Sequence, residues 1–166
     1  MSAVILGILY ANFLEWNIHR FLLHKLGKKR NSFWAFHFHD HHRRTRTGNG
    51  IDYTYSIEHG HNFYDREIYG FILLTLAHLP LYTVSPIFLA TISSYMLFYY
   101  WAHVKSHKDI EWAKKWLPWH YDHHMGPNQD KNWCVVMPLC DHIFRTREKY
   151  IGTQKYYLDE LKRNKN

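Results

Sequence analysis

The sequence predicts a small all-α integral-membrane protein, and three features carry that prediction. Apolar residues gather into two blocks, one at the N-terminus and one at 68–102. Most of the fifteen histidines among 166 residues fall in clumps between and after those blocks. Lys and Arg lie almost wholly outside them, so a mean hydropathy of −0.46 averages two unlike populations. Length argues for one domain spanning 1–166.

The first block, residues 1–23, is apolar except for Asn12, Glu15, Asn17, His19 and Arg20, all in its second half. It reads as a membrane helix whose far end turns functional, closed by the basic stop KLGKKR at 25–30. The second block is too long for one span, because a bilayer core takes roughly 20 helical residues. Pro80 and Pro86 divide it, which predicts a hairpin of two short helices over 68–83 and 86–103 with its turn near 83–86. Short arms of this kind insert by tilting or by local thinning of the bilayer.

Three spans place 24–67 and 104–150 on one side, as a histidine-rich helical cap, followed by the basic tail 151–166. That side holds nearly all Lys and Arg, so the positive-inside tendency assigns it, with the C-terminus, to the cytoplasm. The net charge of +7 raises nucleic acid as a partner, but the basic residues flank apolar blocks instead of forming a patch. No nucleic-acid partner is expected. Cys134 and Cys140 have neither disulfide nor thiolate-metal spacing and read as packing residues. No cleavable leader is expected, since a basic start and a small-residue cleavage site are both missing.

Four histidine clusters remain to be explained: His19 with His24; HFHDHH, holding His37, His39, His41 and His42; His103 with His107; and His120 with His123 and His124. Residues three and four apart share a helix face. His103 and His107 therefore point together, and the last three form a second one-sided group. Imidazole suits iron, zinc, copper and nickel, and the scarcity of carboxylates in the clusters disfavours calcium and magnesium. A closed zinc site needs four ligands; about ten here favour two metals. Glu15, one turn before His19, and Asp40 and Asp122, inside their clusters, are candidates to hold a ligand's second ring nitrogen. His59 and His61 read as surface-loop residues.

The order of these motifs resembles the fatty acid hydroxylase / sterol desaturase superfamily of membrane di-iron proteins. The likeness runs over about 12–150 and includes HRFLLH, HFHDHH, HVKSH and HYDHH. NWCVVMPLCDHIFRT continues it and places Asp141 in the family's PLxD position, which makes it a further candidate to hold a ligand's second ring nitrogen. The resemblance implies metal ligands at His19, His24, His37, His41, His42, His103, His107, His120, His123 and His124, with His39 an uncertain member. It departs at Cys134 and Arg145, where glycine is expected, and at Cys140, where an aromatic is common. The first span also lacks the hairpin partner usual in the family, so the chain is a minimal member or a homo-oligomer in which a second protomer covers that helix.

The resemblance implies two iron ions that use oxygen to attack an unactivated C–H bond of a lipid-like substrate. Hydroxylation leads; desaturation and aldehyde deformylation use similar sites. Zinc binds imidazole-rich sites readily, so a zinc-loaded membrane hydrolase or structural protein is the rival reading. Trp16, Phe21, Trp34, Phe36, Tyr99, Tyr100 and Trp101 are candidates to line the substrate entrance. No flavin, haem or iron–sulfur motif is present, so electrons are expected from a separate donor, a small cytochrome or a ferredoxin with its reductase.

Overall fold

Every regular element is helical in the computed structural model, which describes residues 1–55 and 66–163. The expected loop histidines His59 and His61 lie outside the described residues. Among the described residues, eight α-helices occur in chain order: α1 (Ser2–Asn17), α2 (His42–Thr47), α3 (Arg66–His78), α4 (Pro86–Lys108), α5 (Ile110–Trp116), α6 (Pro118–Met125), α7 (Leu139–Ile143) and α8 (Gln154–Arg163). Two π-helical segments join them, Ile18–Leu26 continuing α1 without a break and His37–His41 leading into α2.

The predicted hairpin forms with unequal arms. α3 stops at His78 and a 3₁₀ turn, Leu79–Thr83, brings the chain round to α4. Ser85 caps α4 by accepting from the Phe88 N–H at 3.3 Å, and Pro86 takes the first turn, where a missing N–H costs nothing. Among the described residues α4 alone is long and apolar enough to cross a membrane by length and composition. The other two expected spans are shorter as α-helices, 16 residues in α1 and 13 in α3. Outward faces of all three are apolar, with Ile5, Leu6, Ile72, Leu73, Ile87 and Leu97 at least half exposed.

α1 and α4 run side by side in the same direction. Gly7 faces Thr91, and a Cβ at Gly7 would lie 2.9 Å from Thr91 Cβ, so only glycine permits that approach. Farther along, Asn12 donates to the Tyr95 hydroxyl at 3.0 Å, and that hydroxyl donates to Glu15 at 2.6 Å. α3 returns antiparallel, with Phe71 against Tyr99 and Tyr100 at one end and His78 beside Tyr10 at the other. The C-terminal ends of α1 and α4 therefore meet at one end of the bundle, and α2, α5 and α6 pack beneath it. His78 stands alone at the opposite end, its ring bridging Leu74 O and Tyr10.

The centre is not built of aliphatic side chains. Among the described residues, nine of the twelve largest fully buried side chains are histidines, so imidazole is the core material.

Candidate metal centre

Local helix geometry decides where each imidazole points. His19 and His24 are five apart, as are His37 and His42. On an α-helix such residues diverge by about 140°, but i→i+5 hydrogen bonding brings them into line. Both pairs sit on or directly against the π-helical segments. In α4 and α6 the useful spacing is four, so His103 aligns with His107 and His120 with His124. Consecutive histidines diverge by about 100°. His41 and His42 therefore part company, as do His123 and His124.

The result is two groups, each drawn from several elements. His19, His24, His37, His42 and His123 form one; His41, His103, His107 and His124 form the other. Within each, the ligand nitrogens lie within 4.8 Å of one another. His120 borders the second group, its Nε2 3.1 Å from that of His107. All ten rings are at most 2% exposed. The groups adjoin where His42 and His124 approach to 4.3 Å between ring centroids. The sequence expectation that His120, His123 and His124 act as one cluster is thus corrected: α6 divides its three rings between the groups.

Backbone carbonyls and one carboxylate set the tautomers. Nδ1 of His19 donates to Trp133 O at 2.6 Å, that of His123 to Lys131 O at 2.6 Å, and that of His107 to Gly50 O at 3.2 Å. His41 Nδ1 donates to Asp52 at 2.9 Å. A neutral ring that donates from Nδ1 presents a bare lone pair at Nε2. His42 Nε2 lies 3.1 Å from the Nε2 atoms of His24 and His123 and 3.3 Å from that of His37. One proton cannot satisfy three such contacts. In the other group, Nε2 of His41, His103 and His124 has no hydrogen-bond partner among the described residues.

Metal–imidazole bonds of about 2.0–2.1 Å put neighbouring nitrogens about 2.9 Å apart at right angles and about 3.4 Å apart at the tetrahedral angle. The Nε2 spacings of 3.0–3.3 Å between the rings fall in that interval. These residues fit metal ions. Burial and the neighbouring rings hold His24, His37, His42, His120 and His124 well below the ordinary imidazole pKa. Burial lowers His107 and His123 to about 3. Every one of these seven is neutral at physiological pH, the form a ligand needs.

The carboxylates behave differently from expectation. Glu15 does not reach His19; it accepts from the Val135 and Val136 N–H groups and from Tyr95. Asp141 accepts from the Trp133 and Cys134 N–H groups and from Thr146, so both acids clamp the strap whose Trp133 carbonyl holds His19. Asp122 is buried but turns from the rings to Ile151 N and Arg147. Asp40 is exposed and bonds no clustered ring among the described residues, because the helix turns it outward. His39 also leaves the centre, its Nε2 3.0 Å from Lys28 O. Asp52 was missed. Burial works to raise its pKa, yet hydrogen bonds from His41 and Arg44 outweigh that and hold it well below the carboxylate range.

Above the rings, between α1, α3 and α4, lies an apolar cavity of about 310 Å3. Leu14, Ile18, Leu73, Met96 and Tyr99 line it, and it reaches His19 and Trp34. Tyr99 stacks on His103 with 5.8 Å between centroids. Trp16, Phe21 and Trp101, expected at the entrance, lie elsewhere. On α1 and its π-helical continuation the cavity faces residues 11, 14, 15, 18, 19, 22 and 23, which leaves Trp16 and Phe21 on the other side, against Phe144 and Arg20. Trp101 is half exposed on the outer side of α4.

A protein-family comparison matches the fatty acid hydroxylase model to residues 4–146. The chain belongs to the fatty acid hydroxylase family. No curated protein and no solved structure matches it. Family membership accords with an oxidoreductase whose histidine groups are suited to metal. Arg145, one of the two positions where glycine was expected, has a left-handed φ of 55°, the conformation glycine adopts freely. Cys134 is fully buried and packs with Cys140 against Trp16 and Trp133.

Proposed function

We propose that this fatty acid hydroxylase family member is a membrane-bound non-haem di-iron oxygenase that hydroxylates an unactivated C–H bond of a lipid-like substrate. The observation that carries the reading is the pair of adjoining buried imidazole groups at the foot of an apolar cavity. Neutral imidazole ligands leave two cations their full charge, and Trp133 O, Lys131 O, Gly50 O and Asp52 orient four of the ten rings. Two irons held there would supply oxygen activation. The balance is one C–H bond and one oxygen molecule, with two electrons and two protons, giving an alcohol and water.

The chain's own residues supply position and dryness. Leu14, Ile18, Leu74 and Met96 line the space in which a hydrocarbon would lie against His19, away from water, and Tyr99 braces the ring of His103. The apolar outer faces of α1, α3 and α4 support three membrane-embedded helices, with α1 prolonged by its π-helical segment and α3 short. The basic cap supports a cytoplasmic metal site and C-terminus. Iron is the proposed native metal; zinc binding in a purified sample would not exclude it.

The test is lipid mass spectrometry of cells expressing the parent or a His120→Ala, His124→Ala variant. The expected product carries one added oxygen and appears with the parent alone. Loss of two hydrogens would instead select desaturation, and an active protein containing only zinc and working without oxygen would select a hydrolase.

A further inference from the structure

The cavity above the rings is sealed along two of its helix pairs and open along the third. Gly7 against Thr91 and Asn12 against Tyr95 join α1 to α4, and Phe71 against Tyr99 joins α3 to α4. Between α1 and α3, the one hydrogen bond among the described residues runs from the Tyr10 hydroxyl to His78 Nε2 at 2.9 Å, at the end farthest from the histidine groups. Nearer the rings, the lining residues Leu73 and Ala77 of α3 are exposed, Leu73 by 63%. The slot therefore opens sideways through apolar outer faces, the direction from which a bilayer supplies hydrocarbon.

Gly70 of α3 lies in the wall of that slot. Glycine weakens a helix interior, and at Gly7 the close approach of Thr91 accounts for it. At Gly70 packing demands nothing of the kind, since a Cβ there would meet nothing within 4 Å. What the missing side chain leaves is room in the cavity. That room is at the metal end, because the next residue, Phe71, packs on Tyr99, the ring stacked on His103. The far end is walled by one apolar side chain from each helix, Ala11 of α1, Ala77 of α3 and Ile92 of α4. The two alanines are the chain neighbours of Tyr10 and His78, so their hydrogen bond stands behind that wall. From Ala11 to His19 the lining covers about 12 Å of helix. A volume of about 310 Å3 is near the bottom of the range for ligand pockets, and a site so small over that length suits one unbranched chain better than a fused ring system.

We propose that Gly70 and Ala77 decide which substrates the site accepts: a single linear hydrocarbon chain enters between α1 and α3, passes Gly70 beside the rings, and ends against Ala11, Ala77 and Ile92. This rests on the oxygenase reading for the fate of the chain. The polar lining groups set its direction. Glu67 and His19 stand at the metal end, Glu15 and Tyr95 are tied to each other at 2.6 Å, and the far-end lining is wholly apolar. The head group therefore stays by the cap and the terminal methyl goes deep. A longer chain would have to break the Tyr10–His78 hydrogen bond in apolar surroundings, which is costly. The slot is a length gauge.

The test uses the full chain in nanodiscs and linear alkyl alcohols of increasing length, each with a diazirine at its terminal carbon, and maps photolabelled residues by mass spectrometry. In the parent, labels that excess unlabelled alcohol competes away should fall on Ala11, Ala77 or Ile92 up to a limiting chain length and drop at least tenfold beyond it. Gly70→Leu should lower that labelling at least tenfold at every length, and Ala77→Leu should move the limit to a shorter chain. Both variants should hold metal like the parent. Gly70→Leu, which replaces a helix glycine and meets open space, should melt no lower. Competable labels absent from those three residues, no limiting length, an unmoved limit in Ala77→Leu, or Gly70→Leu labelled like the parent would each overturn the inference. So would a sterol that competes as well as the alcohols do. Labelling needs neither oxygen nor electrons, which separates the two readings. A parent that labels as expected but forms no oxygenated product would strike the oxygenase reading and leave the length gauge standing.

Discussion

A histidine ring has two nitrogens, and what holds the first decides what the second can do. At His41 that holder is Asp52, itself fixed by Arg44 and Thr54. Partners of this kind typically change metal affinity 10–100-fold when lost. Asp52→Ala should therefore lower metal retention against a chelator by that factor, read by metal analysis of the purified protein. Asp40→Ala, which touches the outer surface, should retain metal like the parent. His19, His107 and His123 are held by carbonyl oxygens instead. Such holders have no residue type, so no sequence pattern could have announced them. Asp52 was hidden for a related reason: a lone acid in a polar loop looks like any solvated acid.

Among the elements, the α1–α4 pair bears the load, because it aligns the ends that carry His19, His24, His103 and His107. Gly7 sits at the far end of that contact, against a β-branched neighbour with little freedom to move. Gly7→Leu should lower stability by about 1–3 kcal/mol through overpacking, seen as a lower melting temperature in detergent. Its metal content should equal the parent's, since Asn12, Glu15 and Tyr95 separate the clash from the rings. The same elements show what was legible beforehand. The hairpin turn could be read from proline placement and the four histidine clusters from spacing, while the choice of these ten rings over His39 came from the family resemblance. The rings' division into two groups could not be read, because spacings of five align only on π-helical turns, and nothing in HRFLLH distinguishes those from α-helical ones. The cavity lining was half legible: Tyr99 and Trp34 face it, but aromatic character alone could not tell which side of α1 Trp16 and Phe21 would occupy.

For the molecule as a whole, a core made of imidazole ties stability to protons and metal in a particular way. Seven rings, His24, His37, His42, His107, His120, His123 and His124, have folded-state pKa values below the ordinary 6.5. Above 6.5 neither the folded nor the unfolded chain protonates them, and folding releases no protons there. Below it, unfolded rings take up protons that buried rings refuse, so the unfolded chain binds more and stability falls with pH. Each ring can contribute up to about 1.4 kcal/mol per pH unit, continuing to about pH 3 for His107 and His123. Chelator-treated protein should thus melt at steadily lower temperature from pH 6.5 downward. Metal binding to the folded chain should behave otherwise. Ligands already neutral have no proton to release, so affinity should stay level from pH 8 to about 5, where exposed histidines would lose metal through competition by protons. Melting curves with and without metal across that range would show parallel declines below 6.5. If the gap between the curves closed as pH fell, the rings would be taking protons while folded, contrary to their burial.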